Sequence, residues 1–214
     1  FLHDPLQPKP ATEKELGLNK HFESGRVIMR SGWNNADDAV VGFTSGRDES
    51  YAHNHDDENN VTFFALGTDF LFDAEYEARY SYCHSIPAIG GIEQTYDRDV
   101  PVPKRYGTMG KIQKFEERKQ GGFIQGEAAD PSTNQAYFPQ VVDYFNRKVF
   151  FVREAPYTPY LIFRDDIKLK SGEAVEYTPR YVTNLSNKIS KSDDNSGVVI
   201  SGGKLGGKAL MLVY

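Results

Sequence analysis

The sequence predicts an all-β protein: an antiparallel, multi-stranded β-sandwich of stacked sheets, supersandwich-like in layout. Two features carry this expectation. The 14 Phe and 13 Tyr residues fall largely in short β-branched and aromatic runs that Gly or Pro interrupts about every ten residues, the composition of strands separated by turns. Runs such as 149–152 (Val-Phe-Phe-Val) and 160–163 (Tyr-Leu-Ile-Phe) are apolar at consecutive positions, which predicts strands covered on both faces. A chain of 214 residues suffices for one such domain with a sizeable core.

Residues 1–20 read as a linker or lead-in, because 1–11 carry three prolines and Thr12-x-x-Glu15 is a capping box for a helical turn that Gly17 stops early. The β-domain then occupies 21–214. Strands are expected at 26–30 and 38–43, around a polar turn at 32–37, and a polar loop at 46–52 delivers the chain to His53. Residues 61–66 and 70–72 form a β-hairpin about a Gly67-Thr68-Asp69 turn. Residues 85–91 are a loop, and 97–106, with alternating charges and two prolines, an exposed excursion. Further strands are expected at 110–117, 122–128, 135–142, 148–154, 160–166, 198–200 and 209–214, with a polar turn at 190–197 and a glycine-rich one at 202–207.

Bulk charge limits the partners. A net charge of −5 leaves no general electrostatic footprint for nucleic acid, so any polyanion has to be bound locally. The single Cys83 excludes an internal disulfide. No apolar run approaches the roughly 18 residues of a membrane helix, and none has the pattern of a signal peptide.

The chemistry concentrates in His53-Asn54-His55-Asp56-Asp57-Glu58-Asn59-Asn60 and the hairpin behind it. If the local chain is extended, His53 and His55 share a face. The hairpin then carries Asp73 back to their level, with His84 eleven residues further on. Imidazoles, a carboxylate and an open position make a normal zinc set. An isolated His-x-His is more often a pair of surface or hydrogen-bonded histidines. Here three of the five histidines fall within 32 residues, together with an Asp that ends an apolar strand and needs a cation or strong donors if buried. His3 and His21 are solvent or packing histidines.

The run His53-x-His55-x-Asp57-x-Asn59, an apolar strand, Gly67, a second apolar strand ending in Asp73, and a later His84 resembles the signature of the heparinase II/III-like polysaccharide lyases. Arg26-Val27-Ile28-Met29-Arg30-Ser31-Gly32-Trp33 is similar to the strand opening that family's C-terminal β-domain, and 147–152 and 159–166 to its paired central strands. The resemblance implies β-elimination on a uronic-acid polysaccharide, with an upstream helical domain, absent from this chain, supplying the proton-transferring Tyr. It implies that His53 faces the cleft as an acid/base or carboxylate-neutralising group, while His55, Asp73 and His84 hold zinc and Asp57 or Asn59 backs the ring nitrogens. Arg30 and Arg79 are candidates to meet a substrate carboxylate bidentately, against the ordinary role of surface ion pairs. A secreted or periplasmic location follows from the resemblance alone. Two other readings remain: a non-catalytic carbohydrate-binding or structural sandwich with a metal, and a cupin-like metal barrel, which the spacing of His53, His55, Glu58 and Gly67 approaches.

Overall fold

The computed structural model describes residues 12–33, 38–46, 55–73, 80–91, 94, 110–128, 142–153, 159–203 and 205–212. A helical turn, α1 (Glu13–Leu16), opens it; the Thr12 backbone N–H donates to the Glu15 carboxylate and Gly17 ends the turn at φ 68°. Strands β1 (Asn19–Phe22), β2 (Arg26–Arg30), β3 (Val40–Thr44), β4 (Asn60–Ala65) and β5 (Thr68–Leu71) then form an antiparallel meander in chain order. A 3-10 turn follows at Ser81–Cys83, then the short β6 (Ala88–Ile89). The second sheet holds β7 (Lys111–Arg118), β8 (Gly121–Glu127), β9 (Val142–Val152) and β10 (Tyr160–Leu169), again antiparallel neighbours. β11 (Tyr177–Thr178) pairs with β6, and β12 (Lys188–Lys191), β13 (Gly197–Gly202) and β14 (Gly207–Leu212) make a third sheet. The all-β, sandwich-like architecture is as expected.

The core lies between the first two sheets. Val27, Met29, Val41, Phe43 and Val61 alternate inward on one side and Ile124, Val149 and Phe151 on the other, with Ile200 of the third sheet joining them. Each such side chain contributes roughly 1.5–3 kcal/mol when fully buried. The sheets come close together over β8, where a Cβ on Gly126 would fall against the Phe43 ring and Asn59 Oδ1.

Several local expectations change. The hairpin turn is Leu66-Gly67, not 67–69: Ala65 pairs with Thr68, and both turn residues have positive φ, 52° and 68°, as a two-residue type I′ turn requires. The register then shifts, Phe64 pairing with Asp69 but Phe63 with Leu71. Phe70 is therefore a bulge residue, and Phe70 and Leu71 are both buried. β1 begins at Asn19, inside the expected lead-in, and β9 starts six residues before the expected strand. β12 occupies part of what reads as a polar turn, and 135–141 and 97–106 lie outside the described residues.

The apolar runs also differ. β9 and β10 alternate: Val149 and Phe151 are buried, but Phe150, Tyr160 and Ile162 are 37%, 43% and 51% exposed. One face packs on the core; the other is open.

Candidate metal centre

Three separate segments meet at one end of the first sheet. β5 returns antiparallel to β4 with Leu71 opposite Phe63, so the chain two residues on comes level with the start of β4 and Asp73 stands beside Asn60. His84 ends the 3-10 turn, its N–H donating to Ser81 O at 3.1 Å, and it is fully buried. His55 comes from the loop before β4 rather than from a strand. That loop closes with a turn, the Asn60 N–H donating to Asp57 O at 3.0 Å, and Asn59 at φ 63° takes the position where such a turn accepts Gly or Asn.

His55, Asp73 and His84 each offer a ligand atom within 4.8 Å of the others, and this group could hold a metal ion. The His55 and His84 rings lie 5.4 Å apart, tilted by 42°. His84 Nδ1 is 2.8 Å from Asp73 Oδ1, and its Nε2 is buried without a hydrogen-bond partner among the described residues. A buried imidazole nitrogen with a free lone pair is costly unless something occupies it. In the metal-free chain the Asp73 carboxylate accepts from His84 Nδ1–H; a metal shared by the two residues would displace that hydrogen and bind Nδ1, leaving the hydrogen on Nε2. Asp73 is 38% exposed, which leaves the cluster open on its side.

The surroundings brace these loops against one another. Asn60 donates from Nδ2 to Asp73 Oδ2 at 3.2 Å and accepts from the Ser85 N–H at 2.9 Å. Gln94 brackets the Glu58 backbone, accepting from its N–H at 2.9 Å and donating to its carbonyl at 2.7 Å. Arg147, 3% exposed, donates through Nη1 to Asn59 O and Ser85 O, and through Nε and Nη2 to both oxygens of Asp165 at 2.8 Å. Tyr177 Oη donates to the same Asp165 at 2.6 Å. One buried guanidinium thus ties the loop after His55 to the loop after His84.

Acidity is perturbed beside the cluster. Burial pushes the Asp57 carboxyl up to about 6, His84 drawing it down and Asp73 pushing it further up. Burial, reinforced by Asp57, also holds Glu58 well above the usual carboxylate range despite the Gly46 N–H donated to it at 2.9 Å.

The expected residues fare differently. His55, Asp73 and His84 converge. His53 and Arg79 lie outside the described residues. Arg30 is not brought to the centre: it pairs with Val40, opposite Phe64, whereas the centre adjoins Asn60. Four residues along a strand separate the two places, about 13 Å, and the Arg30 guanidinium lies over Trp33, 4.4 Å from the ring centre. Asn59 does not back a ring nitrogen; its Nδ2 donates to Phe145 O at 2.9 Å. Asn60, Gln94 and Arg147 were not anticipated, although Arg147 occupies an inward position between Phe145 and Val149, where a lone charge in an apolar period of two is a legible signal.

No family model matches the chain, and no curated protein matches it.

Proposed function

We propose that this chain is the β-domain of a heparinase II/III-like polysaccharide lyase, carrying a zinc ion on His55, Asp73 and His84. The observation that supports it most is the meeting of a His-x-His residue, a strand-end Asp and a distant His from three segments, in the order of the family signature. Zinc suits two nitrogen donors and one oxygen with a position left open, and bound there it would hold the three loops in fixed relation. His53, two residues before a ligand, would be carried by the same loop to the side of a sugar cleft.

The reaction this reading assigns is β-elimination on a uronic-acid polysaccharide. A base takes the proton from the carbon beside the uronate carboxylate, the electrons form a carbon–carbon double bond, and the glycosidic C–O bond breaks as an acid protonates the departing oxygen. His53 would neutralise the carboxylate or move one of these protons. The main proton-transferring Tyr would come from an upstream helical domain of the same protein, which together with the anionic polysaccharide is the proposed partner; the location would be secreted or periplasmic.

The test is ultraviolet detection of the unsaturated uronate product, with the chain alone and joined to its upstream polypeptide, alongside metal analysis. Product formed only by the joined protein, and lost in His53→Ala, fits the proposal. Metal binding with no elimination in either form would favour a non-catalytic metal-containing sandwich.

A further inference from the structure

The outward face of the second sheet has a composition that core packing does not explain. Phe123 and Ile162 both pair with Phe150 across neighbouring strands, and the Phe123 and Phe150 ring centres are 4.6 Å apart. Tyr160 lies two pairs further along β10 on the same face, beside Val152. Parallel to this apolar row runs a polar one, Lys114, Gln125, Lys148 and Arg164, one residue from each of four adjacent strands. At the strand spacing of a sheet it spans about 14 Å.

The charges of this face are unbalanced. Glu116 is shared by Lys114 and Arg118, Asp166 by Lys148 and Arg164, and Asp143 meets Lys168. Among the described ion pairs of this face five cations meet three carboxylates, an excess of two positive charges on a chain whose net charge is −5. Phe123 is buried, 8% exposed, so the open part of the row is Phe150 and Ile162, 37% and 51% exposed. An exposed apolar row rimmed by polar groups marks an interaction surface.

We infer that this face docks an extended carboxylated polysaccharide running across the strands, at a place separate from the metal centre. A pyranose ring presents a face of C–H bonds to Phe150 and Ile162, while its carboxylate meets Lys148 or Arg164, each of which shares its acid with a second cation. The interleaved Glu116 and Asp166 oppose a duplex nucleic acid, whose charges come every 1.7 Å or so, but fit between the carboxylates of a chain with at most one per sugar. The choice of a uronan as occupant rests on the lyase reading; the existence of the surface does not.

Native gels cast with a polyuronate, with a neutral β-glucan or with no polymer test this, with duplex DNA offered in a separate mobility shift. The intact chain should be retarded by the polyuronate at low salt and less so at high salt, and not by the glucan. Lys148→Gln/Arg164→Gln and Phe150→Ser should each weaken retardation at least tenfold with the β-sheet circular dichroism unchanged. His55→Ala, expected to lose metal uptake if the metal reading holds, should leave retardation intact, so loss of the metal reading and loss of this surface are told apart. No retardation of the intact chain, equal retardation of the face variants, tighter binding of DNA, or loss of retardation in folded His55→Ala would each overturn the inference.

Discussion

Replacing Arg147 by Met removes the group that joins the two metal-bearing loops and leaves its partners stranded. Asp165, whose side chain is 10% exposed, loses both bidentate bonds, and Asn59 O and Ser85 O lose their shared donor. Breaking one side of a buried ion pair costs about 3–5 kcal/mol, and each carbonyl left without a donor adds about 1 kcal/mol or more. The sum is comparable to the whole stability of an ordinary domain, roughly 5–15 kcal/mol. Urea unfolding should therefore show a large fall in midpoint. The double variant Arg147→Met/Asp165→Leu is the sharper test, because removing both charges from a buried pair is often close to neutral. Tyr177, which is 42% exposed, can give its hydroxyl hydrogen to water once Asp165 is gone. The double variant should be more stable than Arg147→Met by about 2 kcal/mol or more, yet still bind metal weakly, since the loops stay untied. An unfolding free energy for Arg147→Met within about 0.5 kcal/mol of the parent would refute the role given to this network.

Three other outcomes follow from the same geometry. Gly126→Ala would place a Cβ against Asn59 and the Phe43 ring and should cost about 1–3 kcal/mol in denaturant unfolding. In metal-free protein, Asp57 sits at about 6 when folded against 3.8 for an exposed aspartate, so the folded state keeps a proton that the unfolded state releases. Its contribution to stability is full below about pH 4, is lost as pH rises towards 6, and is flat above; relative to Asp57→Asn, the parent should lose up to about 3 kcal/mol across that window in melts at stepped pH. Asp73→Asn removes the carboxylate beside His84 Nδ1 and should weaken metal binding at least about tenfold by competition with a chelating dye.

How much of this was legible in the sequence depends on range. Period-two alternation placed the hairpin, and its return put Asp73 near the histidine loop. The turn itself was misplaced because Leu66 adopts a positive φ, a conformation that costs a non-glycine residue about 1–2 kcal/mol and that local propensity argues against. His84 was legible as a residue type, but the segment that carries it is held by the Ser85–Asn60 and Ser81–Gln94 hydrogen bonds, contacts between segments that no spacing rule relates. The runs at 149–152 and 160–163 suggested strands covered twice, whereas Phe150 and Ile162 face outward; a consecutive apolar run cannot distinguish an added layer from a binding face.

The most direct test is zinc-edge X-ray absorption on the intact chain after dialysis against zinc, with His84→Ala as the comparison. One zinc per chain with nitrogen and oxygen neighbours at about 2.0–2.2 Å and no sulfur, lost in the variant, is the result expected. A chain that takes up no zinc, or takes it up equally without His84, would contradict the metal centre on which the proposed function rests.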